Sequence, residues 1–142
     1  MKNVLVTGGI GYIGSHVCVE LLQKNYNVVV VDNLSNSRYE VLDAIEAITH
    51  IRPTFYQVNV GETEQMTEIL QSHRIDVVIH LAAYKSVEGS IKNPQLFYDN
   101  NASKGCYRRC KRRLVGILYF LPLQRYMGKI RRPMWKLWNY LP

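Results

Sequence analysis

The chain has 142 residues, 47% of them hydrophobic, and a formal charge of +7, enough for one ordinary domain with a core of its own. The charge is divided sharply: all 11 acidic residues lie at or before Asp99, whereas 11 of the 18 Lys and Arg lie after Ser103. Residues 1–103 are therefore net acidic and residues 104–142 carry no acid at all, which excludes treating the whole chain as a basic, nucleic-acid-like or membrane-surface protein.

Lys2 to Thr7 reads as a first, buried parallel strand, because strands covered by helices on both faces appear as continuous apolar runs. Gly8, Gly9, Gly11 and Gly14 follow, then a helix from Tyr12 to Lys24 with Ile13, Val17, Leu21 and Leu22 at helical spacing. Gly9, Gly11 and Gly14 fit G-x-G-x-x-G, and Gly8, Gly11 and Gly14 fit the variant G-x-x-G-x-x-G. In such a unit glycine makes the tight turn, lets the backbone approach a pyrophosphate and lets helix and strand pack closely. The phosphates lie on the free N–H groups of the helix N-terminus.

Asn27 to Val31 is the second strand and ends in Asp32, about twenty residues past the glycines, where a ribose-binding carboxylate is expected. An acid there favours NAD over NADP. Asn33 to Ser37 is a polar loop. Tyr39 to Thr49 is a second helix with Val41, Leu42, Ile45 and Ile48 on one face, stopped by Pro53. Thr54 to Val58 is a third strand, leading into Asn59, Val60 and Gly61. Glu62 to Ser72 is a third helix with Met66, Ile69 and Leu70 inward and its acids in the first turn. Ile75 to Leu81 is a fourth strand, followed by Ala82, Ala83 and Lys85, and a further helix passes through Leu96, Phe97 and Tyr98 towards Asn101. Alternating strands and helices predict an α/β fold: a doubly wound parallel sheet of about four strands, an incomplete Rossmann unit.

The chain opens directly into a strand without a secretory leader. It has no apolar run long enough to span a bilayer, and it holds three cysteines, one inside the first helix. These features together predict a cytoplasmic protein. Cys106 and Cys110 lack the second pair of ligands that a structural zinc site needs, so no metal is expected. From the residues alone, Lys85 reads as a solvated lysine, Asn59 as a turn former, His80 as a buried, hydrogen-bonded histidine, and Tyr12 and Tyr84 as packing residues. No catalytic constellation stands out.

The segments VTGGIGYIGSHVCVELL, VVVVDNLSNS, QMTEIL, VVIHLAAYKSVEGSIKNP and FYDNN resemble the UDP-glucose 4-epimerases of the extended short-chain dehydrogenase/reductase family, over residues 1 to about 101. The resemblance implies a tightly held NAD, a UDP-hexose substrate epimerised at C4 by reversible oxidation, and a homodimer in the full-length family. It implies that Gly8, Gly11, Tyr12, Ile13 and Gly14 hold the pyrophosphate, and that Asp32, Asn33, Leu34, Asn36 and Ser37 hold the adenosine ribose. Asn59 and Val60 would flank the adenine, and Leu81, Ala82, Ala83, Lys85 and Asn100 would line the rest of the cofactor. The family usually has Asp where Asn59 stands, often Gly at Ala83 and Phe at Leu81.

After Asn101 the resemblance stops. The family continues with a helix, then a strand leading to a Ser-rich catalytic loop, then a Tyr-x-x-x-Lys pair, whose tyrosinate is the base for the C4 hydroxyl. Residues 104–142 contain neither the loop nor the pair, and the Tyr126–Lys129 spacing is one residue too short. Yet the codons for Leu118 to Gly128, read from the third base of each, permit Val-Phe-Ser-Ser-Ser-Ala-Thr-Val-Tyr-Gly at ten consecutive positions. This resembles the family's strand and catalytic loop in the right place. A frameshift near Lys104 to Cys106 is therefore expected, leaving a basic, non-family tail and a chain inactive on its own. The rival is a selected basic tail contacting nucleic acid or an anionic membrane; it is disfavoured because the tail has no sustained amphipathic period.

Overall fold

The computed structural model describes residues 1–83 and the backbone of a strand at 116–119. The elements are β1 (Asn3–Thr7), α1 (Tyr12–Gln23), β2 (Asn27–Asp32), α2 (Val41–Thr49), β3 (Thr54–Gln57), α3 (Thr63–Ser72), β4 (Val77–His80) and β5 (Gly116–Tyr119). All described strand pairs are parallel, in the order β3-β2-β1-β4-β5. The chain runs outward from β1 through β2 to β3, then returns to place β4 on the other side of β1. The strand order thus reverses between β1 and β4, where open α/β sheets bind ligands at the carboxyl ends of their strands.

The period of two along each strand explains why continuous apolar runs are needed. Leu5, Val29, Val31 and Val78 point to one face and pack with Met66, Ile69 and Leu70 of α3. Val4, Val6, Val28, Val30 and Ile79 point to the other and pack with Cys18 and Leu22 of α1 and with Leu42 and Ile45 of α2. A strand with a helix layer on each side has no solvent face, so both parities must be apolar.

The four expected strands and three expected helices are present within one to two residues of their expected limits. Helix α2 starts at Val41 rather than Tyr39, because Tyr39 is drawn aside: its ring meets Phe55 edge-on, and the Arg52 guanidinium lies over it. The inward face of α2 is also narrower than its spacing suggests. Leu42 and Ile45 are buried, but Ile48 is 58% exposed. Helix α2 ends at Thr49, one residue after Ile48, and is followed by a left-handed His50.

The fifth strand lies in the segment expected to depart from the family. Val77, Val78, Ile79 and His80 pair in register with Gly116, Ile117, Leu118 and Tyr119. Isoleucine and tyrosine favour extended backbone, and β4 has an edge to be paired. The expected helix near Leu96 lies outside the described residues.

The burial difference within α2 has a direct consequence. Ile45→Ala should destabilise the protein by about 2–4 kcal/mol, and Ile48→Ala by less than about 0.5 kcal/mol. Urea midpoints of the two variants measure this; equal losses would contradict the packing described.

Candidate dinucleotide site

The glycine turn leaves β1 at the centre of the sheet. The Gly8 N–H donates to the Val31 carbonyl at 2.7 Å, and the Gly11 N–H to the Gly8 carbonyl at 3.1 Å. Gly8 has φ +68°, and a Cβ there would stand 2.8 Å from the Ala82 nitrogen. Only glycine satisfies both conditions. A Cβ at Gly14 would run into the Gly8 carbonyl oxygen, so Gly14 sets how closely α1 approaches the turn. Gly9 instead packs against Val30 and Cys18 and does not line the cleft. Of the two spacings, G-x-x-G-x-x-G is the one whose members shape the turn.

Helix α1 begins at Tyr12 with Gly11 as its N-cap. No side chain caps it and its first turn holds no acid, whereas α2 has Asp43 and α3 has Glu64 in theirs. The first N–H groups of a helix have no partner within it. This end is therefore suited to an anion, with neither a capping side chain nor a carboxylate competing. Tyr12 is 86% exposed, its ring edge-on to His16, and so is not the packing residue its type suggests.

An open cleft lies beside this turn. Its walls include Gly8 and Gly11, the Asp32–Ser37 loop, Val58 and Val60, and Ala82 and Ala83. Asp32 is largely buried, and its Oδ1 accepts hydrogen bonds from the Leu34 N–H at 3.0 Å and the Ser37 hydroxyl at 2.7 Å. Leu34 has φ +60°, an unusual conformation for a branched side chain.

The structure brings together most, not all, of the expected residues. Asn59 does not line the cleft: its side-chain oxygen accepts from the Gly61 N–H at 3.0 Å, the local turn its residue type favours. Val58, absent from the expected set, takes its place beside Val60. It could have been found as the last inward position before the β3 turn. Leu34 and Leu81 sit behind the wall, packed into the α1–α2 side of the core. Tyr12, Ile13 and Gly14 belong to the first turn of α1 rather than to the cleft wall. Lys85 and Asn100 lie outside the described residues.

Beneath the cleft, the Thr7 hydroxyl lies 2.7 Å from His80 Nδ1. The N–H groups of Leu81 and Ala82 both point to the same Thr7 oxygen, at 3.3 and 3.4 Å. The Thr7 hydroxyl and His80 Nδ1 thus form a buried side-chain hydrogen bond at the centre of the sheet. Burial lowers the pKa of His80 from 6.5 to about 4, so this is the buried, hydrogen-bonded histidine expected rather than a base. The Cys18 thiol is likewise pushed up to about 12 by burial and donates to the Gly9 carbonyl at 3.5 Å.

With this geometry in place, comparison with known proteins is informative. A family model for GDP-mannose 4,6 dehydratase matches residues 5–107. A UDP-glucose 4-epimerase of Klebsiella pneumoniae is 43% identical over 119 residues, covering 84% of this chain and 86% of the relative. The chain belongs to the UDP-glucose 4-epimerase family. The family's enzyme from Neisseria meningitidis is 46% identical over 103 residues, which cover 72% of this chain but 30% of that relative. Among solved structures, the UDP-glucose 4-epimerase of Stenotrophomonas maltophila, with bound NAD and formylated UDP-arabinopyranose, superposes with a TM-score of 0.81. It is 42% identical, over 84% of this chain and 36% of that one. The chain thus spans about a third of the length of these longer relatives.

The buried histidine makes stability pH-dependent. The unfolded chain binds a proton at His80 below about pH 6.5 and the folded chain only below about 4. Its contribution is complete above pH 6.5 and falls as pH drops towards 4, by up to about 3 kcal/mol. Urea unfolding of wild type and His80→Asn at pH 7 and pH 4.5 tests this, the variant being expected to lose markedly less stability than wild type.

Proposed function

We propose that this chain is the NAD-binding part of a UDP-glucose 4-epimerase. The observation that carries the reading is the convergence, where the strand order reverses, of a glycine turn that no Cβ could enter with a buried carboxylate at the end of β2. The residues fit the cofactor. Gly8, Gly11 and the first N–H groups of α1 would take the pyrophosphate. Asp32 and its loop would take the adenosine ribose, and Val58 and Val60 offer an apolar slot for the adenine. Lys85 and Asn100 are assigned to the nicotinamide side on resemblance alone. When bound, NAD supplies the hydride acceptor for oxidation at C4 of a UDP-hexose. What these residues themselves do is bind and orient; among the described residues none is placed to move the C4 hydroxyl proton. A homodimer is proposed on the same family grounds, and a cytoplasmic location on the sequence features given above.

We further propose that residues 104–142 are read out of frame and that the gene encodes the catalytic Ser-rich loop in another frame. Two observations support this. The ten permitted codon junctions begin at Leu118, and their serine positions follow directly after β5, which ends at Tyr119 opposite His80. A strand ending there would deliver its next residues to the same sheet edge as Gly8 and Ala82. The 142-residue chain as written should therefore bind NAD without epimerising.

Calorimetry on the purified chain should give NAD binding in preference to NADP, weakened at least about tenfold in Asp32→Ala, as expected for loss of a charged hydrogen bond. Sequencing the gene across the codons for Asn100 to Gly128 should reveal a gained or lost base, and the restored product should interconvert UDP-glucose and UDP-galactose. Turnover by the 142-residue chain itself would overturn the division proposed here.

A further inference from the structure

We propose that strand β5, in the frame in which it is written, closes the free edge of β4 and so holds the Ala82–Ala83 wall of the cleft in place. The inference concerns the chain as written and stands whether or not the gene carries a shifted frame. Only its ligand readout rests on the dinucleotide reading of the cleft.

Strand β4 needs a partner on that side. Val78, Ile79 and His80 are buried. Val78 packs into one core and Ile79 into the other, so both faces of the strand are covered. In a parallel sheet the backbone groups of a strand point alternately to its two neighbours. Strand β1 satisfies one set. The other set faces away from β1 in apolar surroundings, where backbone groups are rarely left unpaired. Strand β5 answers along the whole length of β4, with Val77 to His80 opposite Gly116 to Tyr119. The sequence suits the place. Leu114 to Leu121 is an unbroken apolar run, the pattern of a parallel strand covered on both faces. Arg112 and Arg113 precede it and Pro122 ends it. Residues 84–115 make a connection longer than the roughly dozen residues that a parallel crossover needs.

The effect reaches the cleft because the wall begins where the pairing ends. The last pair is His80 with Tyr119. The next residue, Leu81, donates its N–H to the Thr7 carbonyl at 3.0 Å. Ala82 then stands against Gly8, and Ala82 and Ala83 line the cleft. A strand held at one edge opens more readily than one held at both. Ligand affinity falls in proportion to the fraction of molecules whose wall is in place.

The experiment is amide hydrogen exchange, read by mass spectrometry, on the full 142-residue chain. In the wild type, the amides of Gly116–Tyr119 should exchange at least about 100-fold more slowly than in an unstructured chain, at any protein concentration. Exchange at the unstructured rate would overturn the proposal without recourse to a variant. Protection that rises with protein concentration would also overturn it, since the strand would then come from a second copy. Ile117 and Leu118 are consecutive, so one turns its N–H towards β4 and the other turns away. Proline at the inward position removes a ladder bond, whereas proline at the outward position of an edge strand is tolerated. One of Ile117→Pro and Leu118→Pro should therefore speed exchange of Val77–His80 at least about tenfold and weaken NAD binding, by calorimetry, at least about fivefold. Trp138→Pro, outside the apolar run, should change either reading by less than about twofold. Unchanged β4 exchange in both Ile117→Pro and Leu118→Pro would overturn the pairing. Faster β4 exchange with wild-type NAD affinity would overturn its link to the wall. If the wild type fails to bind NAD, the dinucleotide reading of the cleft falls, while the exchange of β4 and β5 still decides the pairing.

Discussion

The hydroxyl of Thr7 ties the two halves of the site together. It is buried at the end of the central strand, shares a hydrogen bond with His80 Nδ1, and lies within reach of the N–H groups of Leu81 and Ala82. Gly8 follows Thr7, and Ala82 follows the end of β4, so the bond determines how far apart the glycine turn and the Ala82–Ala83 wall stand. That spacing is small: the Gly8 α-carbon faces the Ala82 backbone so closely that a Cβ does not fit. A valine in place of Thr7 would preserve the strand, its apolar packing and the Leu81 N–H bond to the residue-7 carbonyl at 3.0 Å, while removing the buried hydroxyl that pairs with His80 Nδ1, a loss beyond that of a surface hydrogen bond.

Around this anchor the cleft is assembled from groups that satisfy one another before any ligand arrives. Asp32 draws its two donors from its own loop, Asn33 holds Ser35, and Asn59 holds Gly61. No buried side-chain nitrogen or oxygen among the described residues lacks a partner. The exception that matters is backbone: the first turn of α1, uncapped by any side chain and free of acids. The site is polar where a phosphate and a sugar need it and apolar at Val58 and Val60. This division matches a dinucleotide better than it matches a simple anion, which would use the helix end alone.

Much of the fold could be read from local pattern. Val28 to Val31 form a run with no polar face, which is legible as a strand buried on both sides because period-two geometry sends alternate side chains to opposite cores. Met66, Ile69 and Leu70 lie inward as their spacing requires. Ile48 shares that kind of spacing yet is exposed, since periodicity describes a helix face but not whether the sheet extends beneath it. The strand at Gly116–Tyr119 was not expected in the tail, although it lies within an unbroken apolar run from Leu114 to Leu121; such a run does not say which edge it will pair with, and only the register with β4 shows that.

The same distinction runs through the site. Strand, glycine turn, helix, strand and acid follow one another along the sequence, and their order alone determines an α/β unit suited to a dinucleotide, with Asp32 at the carboxyl end of β2. Which of the two glycine spacings shapes the turn, and that Val58 rather than Asn59 lines the cleft, were decided only by tertiary structure. Each depends on what meets what across the sheet or within a loop. Gly8 against Ala82 and Thr7 against His80 join residues more than seventy positions apart. Sequence spacing determines which face of an element a residue occupies, but contacts of that kind exist only once β1 and β4 lie side by side.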